Sequence, residues 1–263
     1  MNMQELQVID VESNTCTVGD IDSDTRTPLT TATDGSKYFT TRLARVEDDI
    51  PLIATILNQA YKVGEQGILD DSPKFPLVRA KESEVRDMIQ AQQMIILLES
   101  QTSSTNNDHS CTKLKTILGC VRAFVVDHAC TDDRRQNSDY TGEWGCLAIE
   151  LSHQGRGLGR MLVNAAEQHL HEQSCRFLRI DLLAPSSGDH AHKERLRTWY
   201  TKRLGYNLSV PGDYAASTKK LSARSLLAGR FLLANDTDYT CYRKRISIDC
   251  EVKNGPIHDR HSA

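Results

Sequence analysis

Residues 147–159 read LAIELSHQGRGLG. An apolar run (Leu147, Ala148, Ile149) gives way to polar residues, and glycines follow at 155, 157 and 159. Behind them an apolar stripe begins at once with Met161, Leu162, Ala165, Ala166 and Leu170. The change of period predicts a strand, a glycine-rich turn and the start of a helix. Glycines let a backbone approach a ligand closely and remove side chains that would cover the amide N–H groups. Those amides and the first helical turn carry a fixed positive charge of roughly half an elementary unit, and Arg156 and Arg160 add full charges at the mouth. Such a nest suits a phosphate or pyrophosphate. The spacing G-x-G-x-G is not the dinucleotide fingerprint G-x-G-x-x-G, nor does a Gly-Lys-Ser/Thr follow. On this window alone, a turn that serves packing only remains open.

Outward from the turn, short apolar runs bounded by turn residues predict strands at Met94–Leu98, Ile117–Val126, Trp144–Ile149 and Phe177–Leu183, with a last one at Thr240–Ile248. The polar inserts 101–115 and 127–142 separate the first three, which suggests an antiparallel meander with long hairpins. Three-to-four spacing of Ile50, Ile53, Ala54, Leu57 and Tyr61 predicts a helix over Asp48–Tyr61, with Asp48 and Asp49 suiting the dipole. A weaker stripe predicts a helix at Glu82–Gln92, the stripe behind the glycines one from Gly159 to about Gln173, and a further helix runs from about Lys193 to Arg203, closed by Gly205. Strands alternating with helices in this order predict a mixed α/β sheet domain.

The 263 residues carry 32 Lys+Arg against 35 Asp+Glu, a formal charge of -3. That balance speaks against direct nucleic-acid binding, which favours strongly basic domains. No apolar run approaches the ~18 residues of a membrane span, and the first residues resemble no secretory signal. Eight scattered cysteines without a C-x-x-C pair read as reduced thiols, and no metal site is expected. The location expected is the cytoplasm, with the nucleus as the alternative. Residues 1–36 hold seven acids against one base, ten Ser/Thr and no aromatic residue. Such a segment buries too little apolar area to offset its ordering entropy, so it is expected to be a disordered tail. The expected organisation is a tail over 1–36, a domain over 37–249 and a flexible tail over 250–263. Arg243-Lys-Arg245 reads as a solvated strand edge.

Gln154-Gly-Arg-Gly-Leu-Gly159 resembles the Q/R-x-x-G-x-G/A acetyl-CoA motif of the GNAT superfamily of N-acetyltransferases. Leu147-Ala-Ile149 is similar to that family's preceding strand, and Trp199-Tyr-Thr-Lys-Arg-Leu-Gly-Tyr206 to its second signature, aromatic-Tyr-x-x-x-Gly-aromatic. Asn58-Gln-Ala-Tyr61 and Gly64-Glu-Gln-Gly67 resemble its first helix and the loop behind it. Two signatures in the right order, covering about residues 37–249, are more specific than either one.

The resemblance implies a mostly antiparallel mixed sheet flanked by helices on both faces, with acetyl-CoA as co-substrate and no metal. Leu147, Ala148 and Ile149 would pair with the pantetheine arm. The amides of Gly155, Gly157, Leu158, Gly159 and Arg160 would hold the pyrophosphate, with Gln154 and Arg156 at its edge. Lys193 departs from the pattern, standing where many relatives carry an Asn that contacts the cofactor arm. Tyr200 matches the tyrosine that protonates the departing thiolate, a task suited to a phenol of pKa near 10. An alkyl amine is protonated at neutral pH, so a base must accept its proton. Glu143 stands where some members place a catalytic glutamate, and Trp144 beside it would raise its pKa by desolvation; a solvated glutamate at a hairpin end is the alternative. The expected reaction moves an acetyl group to a primary amine in a ternary complex, the acceptor a small-molecule amine. Acceptance by a protein lysine or N-terminus, or acyl-CoA binding without turnover, are the alternatives, and a homodimer is left open. Acids in the loop Gly64–Asp71 (Glu65, Asp70, Asp71) suit an acceptor ammonium or solvent.

Overall fold

The computed structural model describes residues 30–34, 37–101, 115–126, 140–188, 190–208 and 218–246. Most of the expected 1–36 tail, the 250–263 tail and the bulk of both polar inserts lie outside the described residues. Thr30–Asp34 is an exception: it forms strand β1 and pairs with β2 (Lys37–Leu43), so the sheet begins inside the segment read as a tail.

The remaining strands are β3 (Met94–Gln101), β4 (Lys115–Val126), β5 (Tyr140–Ile149), β6 (Cys175–Pro185), β7 (Thr218–Leu221), β8 (Leu226–Leu227), β9 (Phe231–Leu232) and β10 (Thr237–Arg245). Eight of the ten form one sheet in the order β1-β2-β3-β4-β5-β6-β10-β7, while β8 and β9 make a separate small hairpin. Every neighbouring pair in the large sheet is antiparallel except β5–β6. Helix α3 (Leu158–Glu172) connects those two strands, and a crossover of that length is what a parallel pair requires.

Helices lie on both faces. Along β3, Ile95 and Leu97 join the core built on α3, whereas Met94, Ile96 and Leu98 join the core beneath α1 (Ile50–Gly64) and α2 (Glu82–Gln90). This is period-two alternation with both faces covered, which explains the unbroken apolar run. Each such buried side chain contributes on the order of 1.5–3 kcal/mol. The α1 stripe Ile50, Ile53, Ala54, Leu57 and Tyr61 is buried as its spacing predicts. Asp49 caps that helix by accepting from the Leu52 amide, while Asp48 pairs with Arg42 through two bonds of 2.8 and 2.7 Å. Helix α4 (Ala191–Thr198) runs into a π-helical turn, Trp199–Arg203, and Gly205 follows at φ 77°. Among the described residues no helix is long and apolar enough to cross a membrane.

Strand β5 has two irregularities that decide what the sheet can do. Against β4 its register jumps, Cys120 facing Ala148 but Arg122 facing Gly145. Val121 therefore opposes two residues, Cys146 and Leu147, and Cys146 adopts φ 52°. Such a bulge bends its strand and raises the local twist. Against β6, pairing runs from Tyr140↔Cys175 to Glu143↔Arg179 and ends there. Residues 144–149 thus keep β4 on one side and present an open edge toward β6 on the other.

Two strand glycines hold this geometry. A Cβ on Gly119 would lie 2.5 Å from the Ala148 carbonyl oxygen, a backbone atom that cannot rotate aside. On Gly142 it would meet the Leu170 side chain at 2.8 Å, which can move. Gly119→Ala is expected to cost about 1–3 kcal/mol in urea unfolding, the overpacking range, and more than Gly142→Ala; the reverse order would contradict the close approach of β4 to β5.

Candidate active site

The turn between β5 and α3 has the geometry expected of an anion nest. Gly155 and Gly157 stand at φ 78° and 83°, a region where side chains are strained, and Gly157 is the residue preceding the first turn of α3. Leu158 and Gly159 occupy the first helical positions, where no earlier carbonyl of the helix can reach their amides. The Arg160 amide differs from expectation: it donates to the Gly157 carbonyl at 2.9 Å, so the tight first turn withdraws it from a ligand. The Arg160 side chain remains exposed at the mouth. Gln154 turns back on the strand, its Nε2 donating to the Ile149 carbonyl at 3.1 Å. Arg156 lies over the Phe39 ring, 5.3 Å from its centroid, which places its charge beside the turn. Leu147, Ala148 and Ile149 are buried on the open-edged part of β5, directly before the turn.

Tyr200 is 0% exposed, in the π-helical turn that continues α4; such turns recur at functional positions. Its ring stands edge-on to Trp144, with centroids 6.3 Å apart, and against Trp199 and Tyr242. Trp144 is itself fixed, because its indole N–H donates to the Tyr206 hydroxyl. That hydroxyl donates to Glu167 at 3.0 Å, and Lys244 pairs with the same carboxylate at 2.7 Å. The expected second signature therefore contributes a connected aromatic wall on the α3–α4 face.

Glu143 lies on the opposite face. Gly142 and Trp144 face α3, so alternation sends the side chain between them to the other side. Trp144 therefore does not desolvate Glu143, contrary to the sequence expectation, yet the carboxylate is 1% exposed, not a solvated hairpin end. Its neighbours come from β4 on one side of β5 and from β6 and β10 on the other: Arg122, Arg179, Asp181 and Arg243. Burial, reinforced by the charge of Asp181, pushes its carboxyl up to about 7 against the pull of the three arginines. Oε2 lies 3.3 Å from Arg179 Nε, while Oε1 has no hydrogen-bond partner among the described residues. Glu143 and Tyr200 thus flank the β5–β6 opening from opposite faces.

Several residues near the opening were not singled out from the sequence. Arg179 and Asp181 interrupt the apolar run of β6 at every second position, RFLRIDLL, and that alternation was the available signal. Arg243 is buried beside them, its backbone bridging that of Asn207 on the side away from β6, so of the basic triplet read as a solvated edge only Arg245 is exposed. Arg79 lies over the Tyr61 ring at 4.8 Å and donates to Cys146 Sγ at 3.7 Å, at the bulge. The loop acids are already engaged: Asp71 pairs with Lys62 at 2.7 Å and Asp70 accepts from the Ser72 amide.

Glu65 and Lys193 form an ion pair of 2.7 Å at 1% and 0% exposure. Lys193 therefore ties the start of α4 to the loop behind α1, and cannot reach a phosphate. Beside it, burial and the lysine charge push His192 down to about 4. Removing one partner of a buried pair leaves the other charge uncompensated. Lys193→Met is expected to lose about 3–5 kcal/mol of stability, and Glu65→Leu added to it to restore much of that loss. A single variant as stable as the parent in chemical unfolding would show that the pair is not closed in solution.

Residues 75–205 match the model of the acetyltransferase (GNAT) family. No curated protein sequence matches the chain. Similar solved structures include an N-acetyltransferase from Staphylococcus aureus Mu50, 13% identical over 80% of this chain and 99% of that one, TM-score 0.47. Arabidopsis thaliana NAA60 in complex with a bisubstrate analogue is 14% identical with the same coverage and a TM-score of 0.46. The NatC complex bound to Gag peptide and CoA is 12% identical, again over 80% and 99%, TM-score 0.47. With the glycine turn and the second signature up to Gly205 inside the matched segment, the chain carries over residues 75–205 an acetyltransferase domain of the GNAT family.

Proposed function

We propose that the protein moves an acetyl group from acetyl-CoA to a primary amine by direct attack in a ternary complex. One observation carries this reading: the glycine turn at the start of a 15-residue helix adjoins an open strand edge, and an acid and a phenol flank that edge. The family match supports the transfer. The turn supplies positively polarised amides at Leu158 and Gly159 and left-handed glycines at 155 and 157, which fit a pyrophosphate. The open edge of residues 144–149 fits an extended arm that bonds to backbone, as a further strand would. Acetyl-CoA supplies the activated thioester that the amine attacks.

The chain itself moves protons. An amine attacks only when neutral, and Glu143 Oε1 is the acceptor for its proton. The Tyr200 hydroxyl, on the other face, donates to the leaving sulfur. A strand amide, that of Leu147, would meet charge developing on the thioester oxygen. We assign the acceptor to small amines because the Glu143 side of the opening is covered. There the β8–β9 hairpin packs Leu227, Phe231 and Leu233 onto Ile68, Leu69 and Leu77, and Arg230 pins it to Glu84 at 2.6 Å.

Release of free thiol from acetyl-CoA, measured across a panel of small amines and peptides, tests the reading. Turnover with a small amine is expected; turnover only with peptides would move the acceptor to protein, and CoA binding without turnover would make the domain a binding module. Gly157→Glu, which puts a bulky anion in the nest, is expected to abolish CoA binding by calorimetry, and retained tight binding would refute the nest. Tyr200→Phe is expected to lower kcat roughly tenfold to ten-thousandfold, the general acid–base range, with CoA affinity kept. Glu143 works as a base only when ionised, so kcat/KM is expected to fall as pH drops through about 7. In Glu143→Gln that limb should vanish, and an unchanged profile would assign the base elsewhere.

A further inference from the structure

Two carboxylates with no exposure to speak of, Glu143 on β5 and Asp181 on β6, share one guanidinium. Arg179 gives Asp181 its fork, with Nη2 at 2.9 Å from Oδ2 and Nε at 3.4 Å from Oδ1. To Glu143 it offers only the same Nε, at 3.3 Å from Oε2. Asp181 also accepts from the Tyr239 hydroxyl on β10. The division is unequal: Asp181 holds a two-pronged, charge-assisted contact and a phenol, whereas Glu143 has one long contact and a bare Oε1.

A structural cross-strand pair needs one acid and one base. Placing a second buried carboxylate beside the first is costly unless the extra charge does something, because like charges disfavour each other's ionisation. Without Asp181, the fork of Arg179 would be free to close on Glu143, and a carboxylate in a bidentate arginine pair is a poor proton acceptor. We propose that Asp181 is a positioning residue for acetyl transfer: it retains the Arg179 fork on β6 and so leaves Glu143 able to accept the proton of the amine. This rests on the reading of Glu143 as the base. The charged and titratable groups facing Glu143 are Arg122 from β4, Arg179 and Asp181 from β6, and Tyr239 and Arg243 from β10. Arg79 stands one layer out, beside Cys146 and near Arg122. Asp181 is the one anion among them, so its removal leaves three arginines acting on Glu143 unopposed.

The sign of the effect follows. Asp181→Asn is expected to shift the acid limb of kcat/KM to lower pH, by about one unit, a tenfold change in proton affinity. Arg179→Gln is expected to shift it the opposite way. A role confined to holding the sheet together would lower the melting temperature and leave the limb in place. The experiment is the pH dependence of kcat/KM for the full chain with one amine, comparing the parent, Asp181→Asn, Arg179→Gln and Glu143→Gln. Opposite shifts in the first two variants, with the limb abolished in the third, support the proposal. A limb unmoved by Asp181→Asn or by Arg179→Gln, yet abolished by Glu143→Gln, overturns it and keeps Glu143 as base. A limb that survives Glu143→Gln removes both. Should Asp181→Asn not fold by circular dichroism, Asp181→Ser takes its place, and the upward shift in Arg179→Gln is still required.

Discussion

Strand β5 leaves β6 after Glu143, and nearly everything about the site depends on that parting. A sheet satisfies its backbone by pairing on both sides, and an open stretch in the middle of eight strands leaves donors and acceptors facing a gap. The bulge at Cys146 produces the bend, since the extra residue forces the strand away from its neighbour. Gly119 permits the close approach of β4 that keeps the bent strand attached on its other edge. A gap built this way exposes the backbone edge of β5. On the proposed reading it takes an extended ligand that completes the hydrogen bonding and leads to the glycine turn where the strand ends.

The parting also separates the chemistry into two compartments. On the α3–α4 face, an aromatic wall of Trp144, Tyr200, Tyr206 and Tyr242 surrounds the phenol, braced by Glu167 and Lys244. On the α1–α2 face, charged side chains from three strands surround Glu143, and burial, reinforced by Asp181, raises its carboxyl to about 7 against the pull of the arginines. On the proposed reading, the proton taken up on one side and the proton given out on the other involve separate groups. The buried Glu65–Lys193 pair joins the helix that carries the phenol to the loop on the acid side, so the two compartments are mechanically linked although their chemistry is distinct.

Much of this was legible in the residues. The α1 stripe, the three glycines, Gly205 and the apolar runs each report a local constraint: a period, a left-handed φ, a buried strand. Glu143 and Tyr200 were singled out through the resemblance of the strand before the glycine turn and of the second signature to the family's pattern. The desolvation of Glu143 was anticipated for the wrong cause, because adjacent residues on a strand point to opposite faces. The basic triplet at 243–245 looked like an exposed edge because a single strand carries no sign of its neighbours. Strands β7, β8 and β9 were not anticipated, being two to four residues long and too short for any period to show.

The sequence by itself determined the order of elements, the helix that starts at the glycines and the residue types able to bind an anion and move protons. These depend on neighbours a few positions away, where the chain's own geometry is enough. Only the tertiary structure decided that β5 parts from β6, that Asp181 takes the arginine fork, and that Lys193 is consumed by Glu65. Each of those joins residues from separate elements, and which charges become partners in a buried layer depends on the register and twist of the whole sheet.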